Sequence, residues 1–302
     1  MRAIVYSGGQ ARWSMFTVSL PRFVVAAGAA LVVSLSGCGG GGGSSTAPSS
    51  PSSPSSPTSP TTPGSPAGNA CSAVAGLFEA PQGIVNGVGC TDQQADRSSV
   101  VWLQLLGSDG LAVAFCSGTV IDTKAVLTAA HCLTGTTKGV AAYMGTGKIP
   151  ITTKEFYASP GYTGTTSSSL DAGVVIFTES LERTPVPLLT SRAAKPGESA
   201  VIAGWGTDGV NGGGSTLRAG TLTVSRVTDT YIEADYNAAS SSICQGDSGG
   251  PLLVSAGGAW AVAGVTSSVT SGCLSGTGNY ANIYNSSIRS FILKYVPGAV
   301  ER

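Results

Sequence analysis

The sequence predicts an all-β globular domain closed by one C-terminal helix, and three observations carry that expectation. Past position 83 the chain alternates short Val, Ile, Leu and Ala runs with Gly, Asn, Asp and Ser, the pattern of short strands joined by tight turns. Only 11% of the 302 residues are charged while 43 are glycine, a balance that suits a compact extracellular β domain better than a helical cytosolic one. The sole clear helical periodicity is terminal, where Ile288, Phe291, Ile292, Tyr295 and Val296 recur at helical spacing behind Asn285 or Ser286 as a cap.

Strands are expected at 100–106, 111–115, 120–121, 174–177, 200–203, 221–224 and 260–265, which together suggest a sandwich or barrel. Lys plus Arg equals Asp plus Glu at 16 each, so the net charge is zero and no basic surplus points to nucleic acid. No dinucleotide fingerprint, P-loop or zinc-ligand cluster is present, and no cofactor or metal is expected.

The leader reads as an address and a tether. Arg2, Arg12 and Arg22 precede an apolar run from Phe23 to Leu35, too short for a membrane span of about 20 apolar residues. The run ends in Leu35-Ser36-Gly37-Cys38, which resembles the lipobox of bacterial lipoproteins; that resemblance implies cleavage before Cys38 and a lipid on its thiol. Met15 is an alternative start to Met1. Residues 39–70 are almost all Gly, Ser, Pro and Thr, a composition that cannot form a core and is expected to act as a stalk. The expected organisation is therefore a lipoprotein signal over 1–37, lipidated Cys38 and linker over 38–70, a short pro-segment over 71–83 and a catalytic domain over 84–302. The expected location is a bacterial membrane surface, facing periplasm or exterior, or a form released from it.

Two motifs then supply chemistry. Leu127-Thr128-Ala129-Ala130-His131-Cys132 holds the only histidine of the chain, and Gly246-Asp247-Ser248-Gly249-Gly250-Pro251 holds a serine between glycines. Alone, each motif has a bland meaning: a lone histidine is commonly structural, and Gly-Ser-Gly is commonly a turn. Their order, with an Asp before a strand between them, changes the reading. Together with Ile84-Val85-Asn86-Gly87, Cys116-Ser117-Gly118-Thr119 and Gly204-Trp205-Gly206, they resemble the chymotrypsin/trypsin family over the whole globular part.

The resemblance implies two six-stranded antiparallel Greek-key barrels and a monomeric serine endopeptidase acting on protein or peptide substrates. Within it Ser248 is the nucleophile and His131 the base that activates a hydroxyl otherwise unreactive near neutral pH. Asp171, in Asp171-Ala172-Gly173-Val174-Val175-Ile176, orients the imidazole; Asp122 and Asp208 are the alternatives. The N–H groups of Gly246 and Ser248 form the oxyanion hole. Of the seven cysteines, the resemblance implies the pairs Cys116–Cys132 and Cys244–Cys273 and, with Cys38 lipidated, Cys71–Cys90, whereas the sequence alone allows other pairings.

The resemblance implies a specificity pocket with Ser242 at its floor and Val269 and Gly278 as walls. An uncharged floor disfavours a buried Lys or Arg side chain, and Val269 narrows the space. Small or medium apolar residues before the scissile bond are expected, with aromatic residues as the runner-up. The zymogen logic of the family implies that an amine freed at Ile84 pairs with Asp247, although Gln82-Gly83 and not a basic residue precedes the bond. A catalytically silent binding protein on the same fold is the alternative function.

Overall fold

The structure is a computed structural model describing residues 70–71 and 84–302, except 146, 165–168, 208 and 210–215. The expected signal, Cys38, the linker to residue 69, most of the pro-segment and Asp208 lie outside the described residues.

Fifteen strands form in chain order: β1 Val88–Gly89, β2 Val100–Leu106, β3 Ala112–Asp122, β4 Ala125–Thr128, β5 Gly139–Tyr143, β6 Ile151–Thr153, β7 Phe156–Ala158, β8 Gly173–Ile176, β9 Ser199–Gly204, β10 Arg218–Thr223, β11 Arg226–Val227, β12 Tyr231–Asp235, β13 Pro251–Ala256, β14 Ala259–Val269 and β15 Thr277–Asn282. A short helix α1, Asp92–Ala95, follows β1, and α2, Ser286–Tyr295, ends the fold. Among the described residues no helix is long and apolar enough to cross a membrane.

The strands make two antiparallel sheets, ordered β6-β5-β2-β3-β4-β8-β7 and β1-β10-β9-β13-β14-β15-β12-β11. Each curls into a barrel-like half, and register shifts at Leu105/Leu106, Val120/Asp122, Leu252/Leu253 and Thr266/Ser268 mark bulges that add the necessary bend. One apolar core draws Leu103, Val120, Leu127 and Val174 from the first sheet and Val201, Leu253 and Val265 from the second. A second cluster around Ile202, Ile232, Leu252 and Tyr280 fills the other half and takes in Ile84.

The runs expected at 111–115 and 120–121 form the single strand β3. The polar stretch between them looks like a turn in sequence, yet Cys116, Ser117, Gly118 and Thr119 pair with Leu103, Trp102, Val101 and Val100 of β2. Asn285, not Ser286, caps α2: its side chain accepts the N–H groups of Ser287 and Ile288. Ile288, Phe291 and Ile292 then turn to the core, and Tyr295 stacks on Tyr157 at a centroid separation of 3.8 Å.

All three expected disulfides form: Cys71–Cys90, Cys116–Cys132 and Cys244–Cys273. Each closes a loop of 16 to 29 residues in sequence separation, worth about 3 kcal/mol apiece by restricting the unfolded chain.

Candidate active site

Register brings two of the three expected catalytic side chains to one sheet end. Strands β4 and β8 run antiparallel with Thr128 opposite Gly173, so the chain leaving β4 toward His131 meets the chain arriving from Asp171. Gly173 lets them approach, since a Cβ there would lie 2.6 Å from Leu133 Cδ1 and 3.2 Å from the Ala129 carbonyl. His131 sits in a single 3-10 turn, Ala130–Leu133, which the Cys116–Cys132 disulfide fastens to β3.

Asp171 is 3% exposed and saturated by donors. Its Oδ2 accepts the His131 Nδ1 at 2.8 Å and the Ser267 hydroxyl at 2.6 Å; its Oδ1 accepts the His131 backbone N–H at 3.0 Å. Burial works against its charge, but the hydrogen bonds and attraction from His131, helped by Ser267, outweigh it and hold the carboxyl below its ordinary range. The imidazole is therefore fixed with Nδ1 toward Asp171 and Nε2 turned away from it, while 30% of its side chain remains accessible. A cavity of about 300 Å³ lies beside the pair, lined by His131, Tyr162, Gly164, Asp171, Tyr231, Ser267 and Ser268.

Ser248 comes from the other half, in the turn leading to β13. Its carbonyl accepts the Ser117 N–H at 2.8 Å, and the Cys132 Sγ is 4.0 Å from the same oxygen, which sets Ser248 beside the His131 turn. Among the described residues no hydrogen bond joins the Ser248 hydroxyl to the imidazole.

The 244–250 turn is held by its own glycines. Gly246 has φ +92° and Gly249 has φ +83°, both in the region that L side chains rarely adopt. A Cβ on Gly246 would lie 2.4 Å from a Phe115 ring carbon, and one on Gly249 would lie 2.0 Å from Thr128 Oγ1. The amides of Gly246 and Ser248 donate to no protein acceptor among the described residues, as an oxyanion site requires.

Asp247 is buried beneath the turn. Its Oδ1 accepts the Gly206 N–H at 2.9 Å and its Oδ2 the Cys244 N–H at 2.8 Å. Burial raises its carboxyl to about 7; the two amides and the attraction of Arg218 oppose this without cancelling it. Ile84, its expected partner, is 1% exposed in the neighbouring core, at φ +44°. Val85 bridges Ser242 instead, its carbonyl accepting the Ser242 N–H at 3.1 Å.

Of the pocket residues, Val269 and Gly278 stand opposite each other on β14 and β15. Ser242 is 5% exposed, its hydroxyl directed to the Ile243 carbonyl. The alternative Asp122 lies at the β3–β4 turn, where Oδ1 accepts the Lys124 N–H, remote from His131 in role and partner. Ser267 carries a function the sequence reading missed. Its hydroxyl reaches Asp171; a run of Ser267-Ser268 shows nothing of which hydroxyl turns inward.

A family model described as Trypsin matches residues 84–292. The chain belongs to the trypsin family. Trypsin alpha-4 of Lucilia cuprina is 31% identical over 199 residues, which is 56% of this chain and 72% of that protein. A trypsin-like protease of Streptomyces glaucescens is 28% identical over 160 residues, and mouse vitamin K-dependent protein C is 29% identical over 186. The matched stretches span 58% and 40% of those two relatives. The solved structure of HL collagenase shares the fold at a TM-score of 0.57, with 22% identity, covering 71% of this chain and 99% of that one.

Proposed function

We propose that this protein is an active serine endopeptidase that cleaves peptide bonds through an acyl-enzyme on Ser248. The observation that carries the reading is the His131–Asp171–Ser267 network, closed by hydrogen bonds of 2.8 and 2.6 Å, beside a glycine-shaped turn presenting Ser248 with two unengaged amides.

In this reading His131 Nε2 takes the Ser248 proton as the hydroxyl attacks the carbonyl carbon. The charge on the carbonyl oxygen is met by the Gly246 and Ser248 N–H groups, and Asp171 stabilises the imidazolium. The proton then passes to the leaving amine, and water repeats the sequence to release the acid. Turnover on a peptide library, compared with Ser248→Ala, tests it: cleavage by the wild type alone supports the reading, and equal cleavage by both contradicts it.

The pocket reading is preference for small or medium apolar residues before the scissile bond. Val269 facing Gly278 supports it, since the valine projects where its partner has no side chain. On a panel of peptides varied at that position, Ala and Val are expected to exceed Arg by at least about tenfold, because an unpaired buried cation is costly. Fast cleavage after Arg would sink this assignment.

Activation by cutting Gly83–Ile84 is the companion proposal. Ile84 is β-branched yet sits at φ +44°, a conformation that costs on the order of 1–2 kcal/mol and that a free N-terminus need not keep. With Cys71 bonded to Cys90, the cut leaves both pieces covalently joined. The expected gel pattern is one band without reductant and two with it; separation without reductant contradicts the tether. If Cys38 is lipidated, the same bond keeps the activated enzyme at a membrane.

A further inference from the structure

The Cys116-Ser117-Gly118-Thr119 segment carries Cys116, the disulfide partner of Cys132. Ser117 lies in the middle of β3, in the sheet that carries His131 and Asp171, and is fully buried. All three of its polar groups are engaged, the hydroxyl as both donor and acceptor. Its N–H donates to the Ser248 carbonyl at 2.8 Å, and its carbonyl accepts the Thr128 hydroxyl at 2.8 Å. Its Oγ accepts the Trp205 N–H at 2.9 Å and donates to the Gly246 carbonyl at 2.9 Å.

We propose that the Ser117 hydroxyl is a positioning residue for the oxyanion hole, locking the peptide plane between its two donor amides. The proposal rests on the protease reading given above.

The Gly246–Asp247 peptide lies between the two oxyanion amides. Its N–H donates to the Cys244 carbonyl at 3.1 Å, so that end is fixed from within the turn. Among the described residues its C=O end is fixed only from the opposite sheet, by Ser117 Oγ. Because a peptide unit is planar, holding both ends sets ψ of Gly246 and φ of Asp247 together, and with them the directions of the N–H bonds before and after. Gly246 is the residue most able to let that plane rotate, having no Cβ and φ +92°. A hydroxyl has a single proton; with the Trp205 amide occupying a lone pair, that proton goes to the Gly246 carbonyl. The bracket crosses the two halves, so it also fixes the Ser248 turn relative to the His131 turn.

The test compares wild type, Ser117→Ala and Ser99→Ala. Ser99 is a matched control: a buried serine whose hydroxyl bonds the Thr184 carbonyl at 2.5 Å, distant in role from the site. For Ser117→Ala, kcat on a peptide amide is expected to fall about tenfold with KM within about twofold, the worth of one well-made hydrogen bond. Affinity for a peptide boronic acid, which forms a tetrahedral adduct on Ser248, is expected to fall by the same factor. Ser99→Ala is expected to lower the melting temperature and leave both unchanged. Should the alanine chain fail to fold, Ser117→Cys, close in volume with a weaker donor, carries the same test at a several-fold loss. Unchanged kcat and boronate affinity in a destabilised but folded Ser117 variant overturns the proposal and leaves the protease reading standing. No turnover and no boronate binding by the wild type overturns that reading and this inference with it.

Discussion

Asp171→Asn is expected to lower kcat by about three to four orders of magnitude near neutral pH, with KM changed only a few-fold. The carboxylate accepts three donors: the imidazole Nδ1–H, the Ser267 hydroxyl and the His131 backbone N–H. An amide of the same shape has one oxygen and one NH2, so at least one of those donors meets another donor. If the NH2 faces the imidazole, the ring proton is driven to Nε2 and His131 can no longer accept from Ser248. If the oxygen faces the imidazole, the His131 backbone N–H is left buried and unpaired, at about 1–3 kcal/mol. The first outcome removes the base, and the second loosens the His131 turn and removes the charge that stabilises the imidazolium; both leave Ser248 and the oxyanion amides in place. Asp122→Asn is the matching control and is expected to leave kcat unchanged, because Asp122 only shapes the turn to Lys124. Steady-state kinetics of the two variants on one peptide substrate check the pair of expectations.

The uncut chain is expected to lose stability as pH rises from about 4 to about 7, and cutting at Ile84 is expected to abolish that loss. The group responsible is Asp247, whose carboxyl stands at about 7 when folded against an ordinary 3.8. A folded value above the unfolded one means that the folded state holds the proton more tightly. The contribution is complete below about 4 and is lost as pH rises through about 7. The size is on the order of 4 kcal/mol, at 1.36 kcal/mol per pH unit. In the proposed cut form the Ile84 amine would add positive charge beside the Asp247 carboxylate, which would then ionise at little cost and hold the turn that carries the oxyanion amides. Activity is then expected to rise by about two to three orders of magnitude, the worth of an oxyanion donor. Urea unfolding of Ser248→Ala protein at pH 4.5 and pH 8, cut and uncut, reads the slope without self-digestion. Equal slopes before and after the cut contradict the account, and Asp247→Asn is expected to remove the slope from the uncut chain.

Much of this was legible in the sequence, for identifiable reasons. Strand β2 was readable because 100–106 is apolar but for Gln104, and α2 because a buried helical face repeats at fixed spacing. The ends of β3 were readable but its middle was not, because Cys116–Thr119 is buried by its partner strands and not by its own hydrophobicity. His131, Asp171 and Ser248 are expected from motif order; the β4–β8 register brings His131 to Asp171, and Ser248 lies beside the His131 turn, with no hydrogen bond between its hydroxyl and the imidazole among the described residues. Ser267 and Ser117 escaped notice as bearers of function because a serine has no sequence signature for burial. Whether its hydroxyl reaches a catalytic carboxylate or a solvent molecule depends on the pairing of strands far apart in the chain. Asp247 was expected to await Ile84; what no sequence pattern could show is that in the uncut chain two backbone amides already occupy its oxygens.

The central claim is that Ser248 is a nucleophile activated by His131. Intact-mass analysis after reaction with a fluorophosphonate tests it most directly, with the activated wild type, Ser248→Ala and His131→Ala side by side. The account predicts one adduct per chain on the wild type, mapped to Ser248 by peptide sequencing, none on Ser248→Ala, and strongly slowed labelling on His131→Ala. An unlabelled wild type with its Gly83–Ile84 bond cut, or an adduct that persists in Ser248→Ala, would contradict it.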